Sequence, residues 1–525
     1  MNKQNNLTDQ IILVACRDEH LQNLLIPAVV HGLSPNHQIS IHTSAASAIE
    51  AAHNFEKAGR SPNICIASCA LPDSTGANLL QELRRISPRI ATLLIAEQPE
   101  AQDAIQAIKD EHADRWIDSS ATIDTLIHHV TALSNHNHRL EQLHEKLRHY
   151  PANHLFVTGA TGFLGARFIR DVLRCTDMKV TALTRGRRDV PYDERLPCSV
   201  NDFAGRLRFV EGDVRLMDLG ISERARKSLK ESVDEVWHLA ALTTFDEVLR
   251  DAVFAVNLRG TENVVVFAKC LPGLNCFNHV STAYVCGDAE WPDLVPERIV
   301  DHPNAFKNSY EESKYEAEKH VVNSGLPHLI YRPSIILGET VSGRSDGQTV
   351  YNIAKVARLA KLLGEKHCDD RGIRVVADIK SRKNLIPVDD VTSMMLRVRA
   401  ANPESGTVFN ITNPKPANIG GLVEAIAALL QTNKYEIVNS FEGDDLSGPE
   451  KVLDRVTRVF RPYMVTSDPI FDMTNTRNAL GHLEIPPIDE AHLRFILHAF
   501  YTQFFGTDYN TVAARPRQHQ KVSAR

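Results

Sequence analysis

A chain of 525 residues is longer than one hydrophobic core usually serves, so two or three domains are expected. Apolar residues at 43% and charged residues at 24% are the proportions of a soluble globular protein, and a net charge of −6 carries no electrostatic footprint for nucleic acid. Nine cysteines without C-x-x-C spacing argue against a zinc site and against a disulfide framework, which fits a reducing, cytoplasmic setting. The first apolar run is too short for a signal peptide, and no later one is long enough for a membrane span.

Residues 1–122 alternate apolar runs with helical patterns. Ile11–Cys16, Ile39–His42, Ile64–Ser68, Ala91–Ala96 and Trp116–Ile117 read as strands, with amphipathic stretches such as Gly76–Ile86 between them. Such alternation predicts a small parallel sheet covered by helices on both faces, a flavodoxin-like α/β fold. The stretch from Pro62 to Arg85 resembles the centre of a response-regulator receiver domain, with Leu71-Pro72-Asp73 at its proline turn and Gly76 at its helix entry. The family's chemistry is missing. Ser68 stands where the resemblance implies the phosphate-accepting Asp, and Ala15 and Cys16 where it implies the magnesium-binding acidic pair. Ala96 replaces the switch hydroxyl, and Ser119 the Lys near the fifth strand. Without a carboxylate cluster nothing holds a divalent cation. The resemblance therefore implies a pseudo-receiver used for docking or dimerisation; Asp73 lies beyond the turn and is a poor substitute acceptor.

Residues 123–150 form a helical connector. Leu126, Leu133, Leu140 and Leu147 recur every seven residues, with Ile123, Val130, Asn137 and His144 three residues before them. Leu at d with a single Asn at a fits a parallel two-stranded coiled coil and hence a homodimer. The same pattern fits a last receiver helix packed on its own sheet. Pro151 ends the helix in either case. His128, His129, His136, His138, His144 and His149 have no carboxylate or Cys companion and read as a solvated face rather than a metal site.

The strand His154–Val157 runs into Thr158-Gly159-Ala160-Thr161-Gly162-Phe163-Leu164-Gly165 and then a helix. Gly159, Gly162 and Gly165 give a tight turn, room for a pyrophosphate and close helix packing, and the helix N-terminus offers N–H donors to phosphate. The next strand, Lys179–Leu183, ends in Thr184-Arg185-Gly186-Arg187-Arg188. A carboxylate there would repel a 2′-phosphate, whereas Arg185 binds one, so NADPH is expected. Further on, Tyr310-Glu311-Glu312-Ser313-Lys314 sets a phenol and an ammonium four residues apart on one helix face. The ammonium is expected to lower the phenol pKa so that Tyr310 passes a proton near neutral pH. Together the turn and the pair describe a hydride-transfer enzyme with a proton donor.

From His154 to Asn413 the chain resembles the extended short-chain dehydrogenase/reductases. The ordered matches are Val210-Glu211-Gly212-Asp213-Val214, Val236-Trp237-His238-Leu239-Ala240-Ala241, the Asn257 motif, His279-Val280-Ser281-Thr282-Ala283, Tyr331-Arg332-Pro333-Ser334 and Ile386-Pro387-Val388-Asp389-Asp390. The resemblance implies a Rossmann-type doubly wound parallel sheet over residues 151–413. It also implies cofactor contacts from Thr161, Phe163, Leu164, Asp213, Val214, Ala240, Ala241, Asn257 and Pro333 beside the glycines, Arg185, Tyr310 and Lys314. Thr282 falls on the family's catalytic hydroxyl, with Ser281 the lesser candidate, so the implied triad is Thr282, Tyr310 and Lys314.

Within that superfamily, Thr244–Leu249, His279–Val285 and Pro469–Thr476 resemble the fatty acyl-CoA reductase, or male sterility, branch. The kept Gly165 and the residues between Tyr310 and Lys314 are more similar to thioester reductases and sugar-nucleotide epimerases. The implied activity is NADPH-dependent reduction of an acyl thioester, on CoA or on acyl carrier protein, to aldehyde and onward to alcohol. The alternatives are a sugar-nucleotide epimerase or hydroxysteroid-type dehydrogenase, and an NADP(H)-sensing scaffold. Substrate-binding elements are expected from about residue 335, a C-terminal substrate or lid region over 414–511, and a disordered tail over 512–525. The stretch Val356–Leu363 is amphipathic and basic, open to membrane-surface contact or to a role covering the cleft. Cys286 reads as a buried small residue rather than a nucleophile.

Overall fold

The computed structural model describes residues 10–16, 37–97, 100–186, 203, 205–288, 291, 294–299, 305–345, 350–366, 373–432, 435–440, 446–481 and 485–506. The chain divides into two compact units that part between His149 and Tyr150, with residues 170–177, 203 and 205–207 clustering with the first. Among the described residues no helix is long and apolar enough to cross a membrane. The expected tail, 512–525, and Arg187 and Arg188 lie outside the described residues.

In the first unit β1 (Ile11–Ala15), β2 (Gln38–His42), β3 (Ile64–Ser68), β4 (Ala91–Ala96) and β5 (Arg115–Asp118) form a sheet in the order β2-β1-β3-β4-β5. Every pairing is parallel, the flavodoxin-like winding expected from the alternating pattern. β1 and β4 are buried along their whole length, which is why they read as unbroken apolar runs. Polar side chains start the helices between them: Ser44 caps Ala45–Lys57 and Thr75 caps Gly76–Ile86. Asp73 reaches the first of these, accepting hydrogen bonds from the N–H groups of Ala45 at 2.8 Å and Ala46 at 2.9 Å. Its carboxylate is a helix cap. At the C-terminal edge of the sheet Ser68 Oγ donates to Cys16 Sγ at 3.1 Å.

The connector is one helix, Ile123–Leu147, lying on β3 and β4. Leu126, Val130, Leu133, Asn137 and Leu140 are all buried. Asn137, expected at the a position of a dimer seam, is occupied within its own unit. Its Oδ1 accepts from Asn63 Nδ2 at 3.2 Å and Gln10 Nε2 at 3.4 Å, and its Nδ2 donates to Arg89 O at 2.9 Å. The seven-residue spacing therefore marks a helix packed on its own sheet, and the seam reading is corrected. A period of 3.5 and one of 3.6 diverge too little over this length to be told apart in sequence.

The second unit opens with β6 (His154–Thr158), β7 (Lys179–Thr184), β8 (Leu207–Glu211), β9 (Glu235–His238), β10 (Cys276–Val280) and β11 (His328–Pro333). After them come β12 (Ile335–Leu337), β13 (Ile373–Val376), β14 (Arg382–Lys383), β15 (Leu385–Pro387), β16 (Val408–Ile411), β17 (Ala417–Asn418) and β18 (Tyr435–Val438). The main sheet has the order β16-β11-β10-β9-β6-β7-β8. Pairings from β16 through β7 are parallel. This is the doubly wound Rossmann order, with its reversal between β6 and β9. Trp237 packs between Phe168 and Tyr331 through the middle of the sheet. A smaller apolar core gathers Leu337, Tyr351, Leu422, Leu497 and Phe500 beyond it, with three two-stranded ribbons, β12–β15, β13–β18 and β14–β17.

The Asn137 contacts generate a test. Asn137→Leu would strengthen a two-stranded seam, but here it strands the polar groups of Gln10, Asn63 and Arg89. Urea unfolding of the full chain is expected to show a loss of about 1–3 kcal/mol, and a gain would restore the seam.

Candidate active site

The site starts at the reversal of the sheet. Gly159 follows β6 with φ +72°, and a Cβ there would lie 2.5 Å from Ala240 N beyond β9. Only a bare backbone passes that close. A Cβ on Gly165 would lie 2.2 Å from Gly159 O, so the third glycine lets the helix Phe163–Cys175 pack into the turn. At Gly162 the nearest atom would be 3.2 Å away, and Thr161 and Gly162 are exposed at the mouth of the crevice. With no acidic residue in the first turn, the N–H groups at Phe163 and Leu164 face an open cradle suited to phosphate. Thr158 Oγ1 ties the two strand ends, hydrogen-bonded to His238 Nδ1 at 2.7 Å and accepting from Ala240 N at 3.3 Å. Ala241, which follows Ala240, is exposed. These residues fit a dinucleotide.

The far end of the crevice is a cavity lined by Arg185, Gly186, Glu211, Asp213, Leu216 and Ser222. Arg185 is exposed there. Burial works against the charge of Asp213. Arg215 outweighs it with hydrogen bonds of 2.7–3.1 Å, and with help from Arg185 holds the carboxyl below its usual range. Val214 packs under Gly260, where a Cβ would meet its methyl at 2.9 Å. Glu211 also faces this cavity, a carboxylate beside the proposed phosphate-binding Arg185.

Asn257 joins the two halves of the site. Its Oδ1 accepts from Leu242 N at 2.8 Å, and its Nδ2 donates to Leu242 O at 3.3 Å and to Ser313 Oγ at 2.9 Å. Ser313 Oγ donates in turn to Tyr310 O at 2.8 Å. The loop after β9 is thereby fixed to the helix Ser309–Val322 that carries Tyr310 and Lys314. Pro333 ends β11, whose Arg332 makes a fully buried pair with Glu318 of the same helix at 2.6 and 2.9 Å.

Thr282 begins the turn Ala283–Cys286 after β10, its Oγ1 accepting from Tyr284 N at 3.4 Å, and its side chain is near enough to Tyr310 to lower the phenol pKa. Lys314 Nζ donates to Val280 O at 2.6 Å and lies 3.4 Å from His279 Nε2. Thr282 and Tyr310 are thus neighbours, while the Lys314 ammonium, one turn along the helix, is directed to Val280 and His279. Ser281 Oγ is buried without a hydrogen-bond partner among the described residues.

Here the expected pKa logic is corrected. Burial pushes Tyr310 up to about 12; Thr282 lowers it and Glu311 raises it further. Lys314 is itself pushed down to about 8 by burial, against the pull of Glu318. In this dry environment both groups drift toward their neutral forms, and Lys314 spends its hydrogen bonding on Val280 rather than on the phenol. Cys286 is buried and pushed up to about 12, first by burial, so it is an inert thiol.

Beside Tyr310 opens a narrow apolar cavity of about 60 Å³ whose walls include Phe245, Ile335, Val350, Leu385, Leu422 and Met464. The stretch expected to lie on lipid or over the cleft belongs to the helix Val350–Lys366. Val350 and Ile353 of that helix line this cavity, and Arg358 lies over the Phe505 ring at 4.2 Å.

Sequence reasoning expected a substrate or lid region over 414–511 but named neither of the residues that matter most there. Tyr463 lies in the same wall, its hydroxyl donating to Glu311 Oε1 at 2.5 Å. Asp468 accepts from Tyr284 Oη at 2.6 Å, Lys383 Nζ at 2.6 Å and Asn384 N at 2.8 Å. No local pattern marks either residue. Only the neighbouring Pro469–Thr476 stretch drew notice, and it is fastened to Glu297 and Asn410 through Thr476 and Asp472.

Fold and site together define a Rossmann-type α/β domain with a cradle that fits a nicotinamide dinucleotide. Residues 157–395 match the family model NAD_binding_4, Male sterility protein. Fatty acyl-CoA reductase wat of Drosophila melanogaster is 29% identical over 226 residues, 36% of this chain and 44% of that protein. Fatty acyl-CoA reductase 2 of Bos taurus is 26% identical over 334 residues, 55% of this chain and 63% of that protein. The chain thus spans less than two thirds of either relative. The terminal R domain from the myxalamid PKS-NRPS biosynthetic pathway shares the fold at a TM-score of 0.55 and 21% identity, over 66% of this chain and 90% of that one.

The glycine geometry generates the second test. Gly159→Ala puts a Cβ into backbone at a left-handed φ, and nicotinamide dinucleotide binding followed by fluorescence is expected to be lost together with stability. Gly162→Ala has room in the fold, so it is expected to stay folded while binding the dinucleotide more weakly.

Proposed function

We propose that this protein is an NADPH-dependent reductase of acyl thioesters, forming an aldehyde and, in a second round, an alcohol. One observation carries the reading: Tyr310, with Thr282 beside it, lines an apolar cavity next to the dinucleotide cradle. Carbon walls suit an acyl chain. A sugar nucleotide would leave hydroxyls unpaired against them, which disfavours the epimerase alternative. The relatives named as fatty acyl-CoA reductases and the structurally similar R domain support the same class.

Bound in the cradle, the dinucleotide supplies the hydride. Thr282 and Tyr310 hold the thioester carbonyl oxygen and stabilise its developing negative charge, where the absence of water strengthens each hydrogen bond. Tyr310 delivers the proton as the carbonyl becomes an alcohol in the second round. Lys314 holds the nicotinamide ribose and keeps positive charge close to the phenol. Its burial-depressed pKa of about 8 means that charge is lost above that pH. Arg185 selects the 2′-phosphate. The acyl carrier is CoA or an acyl carrier protein, and the setting cytoplasmic. The first unit is read as a pseudo-receiver serving as a docking surface, supported by its flavodoxin-like strand order and by Ser68 and Cys16 at the place of the acidic chemistry. A homodimer formed through it would use faces other than the Asn137 stripe. An NADP(H)-sensing scaffold has no need to keep all three groups of the triad.

Two tests follow from these roles. Tyr310→Phe keeps the shape of the cavity and removes the acid, so NADPH consumption with a panel of acyl-CoA and acyl carrier protein thioesters is expected to fall by roughly 10²–10⁴-fold, with NADPH binding preserved. Thr282→Val is expected to be damaging as well, and near-normal turnover of both would favour the sensor. Arg185→Asp is expected to weaken NADPH binding by about 2–4 kcal/mol while leaving NADH binding much less affected. Titration of both cofactors reads this directly, and a wild-type preference for NADH would refute the assignment.

A further inference from the structure

The helix Ser309–Val322 begins with an unusual cap. Asn308 Oδ1 accepts from Glu311 N at 3.1 Å, while Glu311 Oε2 reaches back to accept from Lys307 N at 3.0 Å. These bonds satisfy N–H groups at the helix start reciprocally, as in a capping box. Tyr463, from more than a hundred residues downstream, closes the ring. Its Oη accepts from Asn308 Nδ2 at 2.5 Å and donates to Glu311 Oε1 at 2.5 Å. Ser309 and Tyr310 are the residues between the two bridged side chains. The Tyr463 ring also stacks on Phe245 at 5.1 Å and 25°, and Phe245 lies 6.0 Å from the Tyr310 ring. Lys307 and Lys383 approach the Tyr463 ring at 5.2 and 5.7 Å.

We infer that Tyr463 is a positioning residue for Tyr310, holding the first turn of that helix through Asn308 and Glu311 so that the phenol stays aligned with Thr282. The inference rests on the reductase reading above. Its physical content is that the hydroxyl of Tyr463, and not merely its ring, matters. The ring fills the cavity wall, whereas the hydroxyl alone joins the two capping side chains. Burial raises the Glu311 pKa and the Tyr463 hydrogen bond opposes that rise, consistent with a carboxylate that relies on this donor.

The experiment is steady-state reduction of an acyl-CoA by the full chain, with thermal unfolding and NADPH titration of each variant. Tyr463→Phe keeps the ring and deletes the hydroxyl. It is expected to lower kcat by between about 10- and 100-fold, with KM and NADPH affinity within about twofold, because misplacing an acid slows chemistry more than binding. Glu311→Gln keeps an oxygen to accept from Tyr463 and is expected to retain more kcat than Glu311→Ala. A folded Tyr463→Phe enzyme with wild-type kcat overturns the inference. So does a change confined to KM, which a wall residue would give, or a loss of kcat no larger than the loss of folded protein. Wild-type enzyme that reduces no thioester overturns the underlying reading instead, and a wild type that turns over beside a neutral Tyr463→Phe overturns this inference alone.

Discussion

Charge buried on a single helix is the constraint around which the second unit is arranged. Glu311, Lys314 and Glu318 on Ser309–Val322 are each 2% exposed or less, and an uncompensated charge at any of them would cost several kcal/mol. Each is matched by a group from a different part of the chain. Arg332 of β11 answers Glu318, the carbonyl of Val280 at the end of β10 answers Lys314, and Tyr463 answers Glu311. Satisfying the three requirements together leaves the helix one seat, and that seat places Tyr310 against Thr282.

The same economy explains why the site is dry yet polar. Thr158, His238, Thr261 and Asn257 form a continuous chain of hydrogen bonds beneath the cradle, with His238 held neutral because burial lowers its pKa to about 3. None of these groups needs to ionise, so the crevice can exclude water without stranding a charge. Lys314 is the exception. Its charge sits near the margin because it has a carbonyl and a neutral imidazole for neighbours rather than a carboxylate in contact.

Much of this was legible in the sequence where function is written in consecutive residues. The alternation of apolar runs foretold the first parallel sheet, and Gly159, Gly165, Tyr310 and Lys314 stood out by spacing, whereas the second sheet and Thr282 were named from the family resemblance. What was not legible depends on distance or on burial. Tyr463 and Asp468 sit in ordinary-looking segments, and their partners lie more than eighty residues away in sequence. The heptad at Ile123–Leu147 left two readings open because a helix on a sheet and a helix in a pair show nearly the same stripe. Only the contacts of Asn137 tell them apart. The phenol pKa was misjudged for a related reason. Sequence shows that a Lys is near, but not that desolvation outweighs it.

The stretch from Pro469 to Thr476 threads back to Val295, Glu297 and Asn410, pairing Val295 with Phe471 as a single bridge. In a chain made from its N-terminus onward, the strands of the main sheet are all complete once β16 has emerged, and the dinucleotide crevice can close around them. The cap over Tyr310 waits for another fifty residues and the Glu297 anchor for slightly more. A nascent protein thus acquires its cofactor fold before its proton donor is held. The order of the chain thus separates the two: the strands of the crevice are complete at Ile411, and the clasp on the first turn of the Tyr310 helix is written only at Tyr463.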